Sequence, residues 1–122
     1  MAKSLFEEKL NSDKFLVTTE VGPPKGTDIS EMVHHIEALK GKVDAINVTD
    51  HQSSVMRFPS LGGCLLVQEL GGEPILQVTC RDRNRLALQA GEEGRRRGAI
   101  SPDPRHIRPG QLSPVHAVCF PV

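Results

Sequence analysis

Two patterns of hydrophobic and polar positions alternate along residues 15–90. Residues 15–21, 44–49 and 74–80 are rich in β-branched and other apolar side chains, which is typical of short buried strands. Between the first two, apolar residues recur every three or four positions from Ile29 to Leu39, which predicts an amphipathic helix. The predicted order of elements is β-α-β-α-β-α.

The remaining helical segments are less regular. The second is expected to be interrupted at Pro59 and at Gly62-Gly63. The third is predicted to start at Asp82 or Asn84 and to lose its pattern just after Ala90. Strands separated by helices of this length are joined by parallel crossovers. The sequence therefore predicts an α/β fold with both faces of the sheet covered.

A change in composition near Ala90 divides the chain into two parts. Residues 1–90 carry ten basic and twelve acidic side chains, whereas residues 91–122 carry five basic and three acidic ones. The second part also holds five of the nine prolines. Because no apolar periodicity survives from Gly91 to about Leu112, residues 91–122 are predicted to form an irregular Gly/Arg/Pro-rich tail.

Composition excludes several classes of function. The 122 residues suit one domain, and 15 basic against 15 acidic side chains give none of the cationic excess of a nucleic-acid binder. Three cysteines without a CxxC pair argue against disulfides or a zinc site and fit a cytoplasmic protein. The adjacent His34 and His35 point about 100° apart on a helix, so no metal site is expected. No apolar run reaches the roughly 18 residues of a membrane span, and the polar start is unlike a signal peptide.

Each predicted strand ends in polar residues, and in parallel α/β folds chemistry gathers at the carboxyl ends of the strands. Glu20 stands in an otherwise apolar strand. It either caps a neighbouring strand, pairs with Arg81 across the sheet, or acts as a general acid held protonated by apolar surroundings. Asp50 follows the second strand and could bind a ligand or cap the next helix through Ser53. Gln77 could offer its amide to a ring-shaped ligand or satisfy a buried backbone group.

Three segments resemble the amino-terminal part of methylenetetrahydrofolate reductases. They are Val17-Thr-Thr-Glu20-Val-Gly-Pro-Pro-Lys25-Gly, Ile46-Asn-Val-Thr49-Asp and Gln77-Val-Thr-Cys80-Arg-Asp-Arg-Asn84. They close consecutive predicted strands in the right order, and the resemblance covers about residues 10–90. It implies the first three β/α units of a TIM-type (β/α)8 barrel that holds FAD at its carboxyl-end face.

The resemblance also implies an activity and its residues. In this family reduced FAD passes a hydride to 5,10-methylenetetrahydrofolate and gives 5-methyltetrahydrofolate, in one-carbon and methionine metabolism, with NAD(P)H or another electron donor. Glu20 would be the catalytic proton donor that helps to open the ring of the folate substrate. Thr49, with Asp50 beside it, and Gln77 would bind the flavin, although many relatives have His at the position of Gln77.

The sequence departs from this family after Ala90, because three predicted β/α units stand where the barrel needs eight. The chain alone is therefore expected to be inactive and to bind FAD weakly or not at all. The alternatives are a non-catalytic fragment that docks onto a partner chain completing the barrel, and a non-functional remnant. The expected partner is such a complementing chain or, in a homo-oligomer, a second copy. The abrupt change to Gly, Arg and Pro resembles translation of a GC-rich gene in a shifted reading frame, which sequencing past codon 90 would test.

Overall fold

The computed structural model of the protein describes residues 5–97 and 116–120, which form an α/β fold. Its helices and strands are, in chain order, α1 (Leu5–Leu10), β1 (Thr18–Val21), α2 (Ser30–Leu39), β2 (Ala45–Val48), α3 (Ser60–Glu69), β3 (Pro74–Thr79), α4 (Arg85–Arg97) and β4 (His116–Phe120). An irregular turn at Gln52–Ser54 follows β2, and a short 3-10 turn at Cys80–Asp82 follows β3. The predicted alternation of strands and helices is confirmed.

The four described strands form one parallel sheet in the order β1-β2-β3-β4. In the register of the first pair, Glu20 stands opposite Asn47. Parallel pairing brings the carboxyl ends of all four strands to one edge of the sheet. The sheet is open among the described residues, so the closed barrel stays a prediction.

The two faces of the sheet differ in what covers them. One face packs against α2 and α3 in a buried core, formed by Val21, Met32, Ile36, Ile46, Val48, Cys64, Val67 and Leu76. Because side chains alternate along a strand, Glu20, Asn47 and Gln77 belong to the opposite face, here called the open face. Among the described residues, a small cluster around Phe6 of α1 covers the amino end of this face. That both faces are covered stays a prediction, because the described residues place α2 and α3 on one face and α1 over only the amino end of the other.

The sequence did not predict the amino-terminal helix α1, because six residues are too few to show a helical period. It is tied to the sheet by Asp44, which accepts an ion-pair hydrogen bond from Lys9 Nζ at 2.5 Å and another from the Val17 N–H at 2.9 Å. These two bonds lower the pKa of Asp44 below its ordinary value. Asp44 therefore joins α1, β1 and the start of β2.

Helix α3 begins directly after Pro59, as predicted, but Gly62 and Gly63 lie inside it and do not break it. A Cβ atom at Gly63 would lie 2.7 Å from Val48 Cγ1 and 2.9 Å from Met32 Cε. The absence of a side chain at Gly63 therefore lets α3 approach β2 and α2 closely.

The carboxyl-terminal part differs from the predicted irregular tail in two places. Helix α4 is capped as predicted by Asn84, whose Oδ1 accepts the Ala87 N–H at 2.8 Å, but it continues past Ala90 to Arg97. Residues 92–97 are mostly Glu and Arg, which are good helix formers without an apolar period, with acidic and basic residues four positions apart. Strand β4 adds to the edge of β3. The rest of the predicted tail lies outside the described residues.

Candidate functional site at the carboxyl ends of the strands

The four predicted site residues lie in, or directly after, three adjacent strands. Glu20 is in β1, Thr49 and Asp50 directly follow β2, and Gln77 is in β3. The Thr49 N–H donates to the Val21 carbonyl oxygen at 3.2 Å, which continues the β1–β2 pairing beyond the end of β2. The structure therefore brings all four residues to the same edge of the sheet.

Glu20 is exposed on the open face. Arg81, its suggested partner, instead forms an ion pair with its neighbour Asp82, with Nε–Oδ1 and Nη2–Oδ2 distances of 3.0 and 2.7 Å. The interpretation that Glu20 pairs with Arg81 is therefore wrong. The apolar surroundings expected for a general acid are also not supplied by the described part of the chain.

Asp50 is the best-connected polar residue of the site and is only 4% exposed. Its carboxylate accepts two bonds from the Arg83 guanidinium, from Nη2 to Oδ1 at 2.8 Å and from Nη1 to Oδ2. The Thr79 N–H donates to Oδ2 at 2.7 Å, and the Ser60 hydroxyl lies 3.1 Å from Oδ1. Arg83 and Thr79 fill three of the roughly four acceptor positions of an ionised carboxylate, and the Ser60 hydroxyl, which also faces the Gln77 carbonyl oxygen, lies at the remaining one, so at most one position is left for a ligand.

These contacts keep Asp50 ionised. Burial by itself would raise the pKa of Asp50, but the hydrogen bonds from Arg83 and Thr79 outweigh burial and hold the pKa below its ordinary value. The same ion pair raises the pKa of Arg83. The sequence left two interpretations of Asp50, ligand binding and capping of the next helix. The contacts fit the second better, although Asp50 contacts Ser60 at the start of α3 and not Ser53.

Two buried polar atoms of the site have no hydrogen-bond partner among the described residues. They are Thr49 Oγ1 and Asn47 Oδ1. Buried polar groups in folded proteins are nearly always hydrogen-bonded, so both atoms are candidates to bind a ligand. Asn47 was not predicted, although its register opposite Glu20 places it on the same face. The strand alternation in the sequence was the signal that could have found it.

The loop after β2 is strained. His51, Ser53 and Ser54 have φ angles of 43°, 60° and 58°, in the left-handed region that costs L residues roughly 1–2 kcal/mol each. His51 is held from two sides, because its Nδ1 accepts the Arg57 N–H at 3.2 Å and its carbonyl oxygen accepts Arg81 Nη2 at 3.3 Å. Strained, well-held loops are common beside binding sites, and no residue pattern in the sequence predicts this one.

Of the other candidate residues, only Cys80, which directly follows β3, lies near this edge within the described residues. His34 and His35 are exposed on α2, with ring centroids 6.1 Å apart. Cys64 is buried, and burial raises the pKa of its thiol to about 12, whereas Cys80 is half-buried. Within residues 5–97 and 116–120 there is no cluster of metal-binding side chains, and no helix is long and apolar enough to cross a membrane.

The chain is an α/β protein with a parallel sheet, a class in which ligands commonly bind at the carboxyl ends of the strands, where polar side chains lie here. The family model described as methylenetetrahydrofolate reductase matches residues 5–97. The chain belongs to the methylenetetrahydrofolate reductase family, whose members are oxidoreductases and are generally flavin-dependent. The match confirms the resemblance found in the sequence and extends past Ala90 into the end of α4. No curated protein and no solved structure matches the chain.

Proposed function

We propose that this chain forms the part of a methylenetetrahydrofolate reductase that faces the flavin and donates the proton. The reaction is the reduction of 5,10-methylenetetrahydrofolate to 5-methyltetrahydrofolate, with NAD(P)H or another electron donor, in the cytoplasm. The observation that carries the proposal is the convergence of Glu20, Thr49 and Gln77 at one sheet edge in a chain of this family.

The polar atoms of this edge fit FAD. A flavin ring carries both hydrogen-bond donors and acceptors, and when bound it supplies the hydride. The buried Asn47 Oδ1 is an acceptor, whereas the Thr49 hydroxyl and the Gln77 amide both donate and accept. We assign Thr49 and Gln77 to flavin binding, with Asn47 beside them. Asp50 contributes by holding the loop ends, because Arg83 and Thr79 already occupy most of its acceptor positions.

Glu20 is the proposed proton donor. Its carboxyl group would deliver a proton to the leaving nitrogen of the folate ring, a role that is favoured when the carboxyl group is shielded from water and so held in its protonated form. Glu20 is exposed in this chain, so the shielding has to come from the flavin, the folate and further strands. We therefore propose that activity requires additional strands that enclose the open face.

A second candidate function is that of a docking fragment without its own catalysis. Next to β1, which has no partner on its outer side among the described residues, Phe15 is 91% exposed and Val17 is 44% exposed. Unpaired strand edges with exposed apolar side chains favour pairing with another strand. The occupant we propose is a chain that supplies the remaining strands of the barrel.

Flavin binding and complementation separate these functions. The full chain alone, freed of unbound cofactor, is expected to retain little or no FAD by visible absorbance, and a yellow protein would contradict this expectation. Mixing it with a fragment of a family member that lacks the first four strands should give one species in size-exclusion chromatography. A joint species with flavin and folate reduction supports the reductase, a joint species without them supports docking only, and separate elution indicates a remnant.

Glu20→Gln in the joint species tests the catalytic assignment. Removal of a general acid should lower folate reduction by about 10²–10⁴-fold and leave flavin reduction by the electron donor unchanged. Glu31→Gln, which changes an exposed carboxylate on α2, is the matched control and should alter neither rate. Unchanged folate reduction in Glu20→Gln would remove Glu20 from the mechanism.

A further inference from the structure

Arg83 connects the ends of two neighbouring strands through Asp50. Its guanidinium donates two hydrogen bonds to the Asp50 carboxylate, and its Nη1 also donates to the Thr79 carbonyl oxygen at 3.1 Å. In the opposite direction, Thr79 Oγ1 donates to the Asp50 carbonyl oxygen at 3.0 Å. Asp50, which directly follows Thr49, is therefore hydrogen-bonded to the end of β3 through both its side chain and its backbone.

Ser60 adds the start of α3 to the same network. Its hydroxyl oxygen lies 3.1 Å from Asp50 Oδ1 and 2.9 Å from the Gln77 carbonyl oxygen. The backbone of Gln77 and the carboxylate of Asp50 therefore share one hydroxyl group. The Arg83 side chain is 23% exposed and that of Asp50 is fully buried, so the ion pair is largely shielded from water.

We propose that Arg83 is a positioning residue that fixes the separation of Thr49 and Gln77 by clamping Asp50 to the end of β3. The proposal rests on the proposed function, in which Thr49 and Gln77 bind the flavin. Arg83 acts through Asp50 and not on the ligand. The planar guanidinium is essential to the clamp, because a lysine ammonium keeps the charge but cannot form the two parallel bonds.

Native-state hydrogen exchange of the full chain tests the clamp without any cofactor. In Arg83→Lys, the backbone amides of Thr49 and Thr79 should exchange about tenfold or more faster, the factor expected for losing one charged hydrogen bond. The amide of Ile36, in the core of α2, should keep its rate. Equal acceleration at all three positions, or no change at Thr49 and Thr79, would overturn the proposal, since either result leaves Arg83 without a local effect.

Arg85→Lys is the matched control for this measurement. Arg85 is exposed at the start of α4 and takes no part in the hydrogen bonds that join Asp50 to β3 and Ser60. The exchange rates of Arg85→Lys should therefore match those of the wild type. Acceleration at Thr49 and Thr79 equal to that of Arg83→Lys would show that any Arg-to-Lys change near this loop disturbs the site, and would overturn the specific role of Arg83.

A double-mutant cycle on FAD binding in the joint species tests whether the clamp acts through Thr49. Arg83→Lys should weaken FAD binding by about tenfold in the wild-type background and have no further effect on Thr49→Val. Additive losses would contradict positioning through Thr49. If the wild-type joint species binds no FAD, the proposed function fails, whereas the exchange experiment still decides whether Arg83 positions the strand ends.

Discussion

The packing of α3 against the sheet depends on Gly63, and Gly63→Ala tests this packing. The added Cβ would lie 2.7 Å from Val48 Cγ1 and 2.9 Å from Met32 Cε. Val48 is fully buried in β2, and its β-branched side chain has little rotamer freedom, so it cannot move aside. Because Thr49 directly follows Val48, a shift of this strand would also reach the candidate site.

The expected change follows from two opposing contributions to the free energy of unfolding. Overpacking of a filled core costs about 1–3 kcal/mol, whereas Gly to Ala in a helix gains about 1 kcal/mol. With a contact as short as 2.7 Å on an immobile neighbour, the cost lies in the upper part of its range. Gly63→Ala should therefore destabilise the chain by about 1–2 kcal/mol.

Urea unfolding followed by far-UV circular dichroism measures this difference, with Gly91→Ala as the matched control. Gly91 is an exposed position of α4, and a Cβ there would meet no atom within 4 Å. Gly91→Ala should therefore stabilise the chain by up to about 1 kcal/mol, through helix propensity alone. If Gly63→Ala proved as stable as Gly91→Ala, the close approach of α3 to β2 would be refuted.

Two further predictions concern titratable groups. Because the folded-state pKa of Asp50 lies below its ordinary value of 3.8, its stabilising contribution is complete above about pH 4 and is lost as the pH falls through the folded pKa. Asp50→Asn should lower the free energy of unfolding by about 3 kcal/mol at neutral pH, and this variant should not show the loss of stability in acid that Asp50 causes. Parallel curves of unfolding free energy against pH for the two proteins would contradict the assignment. Cys64, with a thiol pKa of about 12, should resist alkylation at pH 8 in the folded chain and react once unfolded, as measured by peptide mass spectrometry. Labelling of folded Cys64 as fast as that of half-buried Cys80 would contradict its burial.

The sequence alone determined the alternation of strands and helices, the start of α4 at Asp82 or Asn84, and the gathering of Glu20, Thr49 and Gln77 at one edge. These features depend on local patterns, because periodicity and turn residues act over a few positions. Parallel strands joined by helices then bring the strand ends together, whatever the details of packing. The family resemblance relied on the same strand-end residues, and the match over residues 5–97 confirmed it.

Only the tertiary structure decided which partners the polar residues have and how far they are buried. Asp50 and Arg83 are 33 positions apart, and no local pattern links them. The exposure of Glu20 depends on what lies over the open face, and the place of Gly63 inside α3 depends on its distance from Val48. Such contacts join elements that are distant in sequence, so they exist only once the sheet and its helices have packed together.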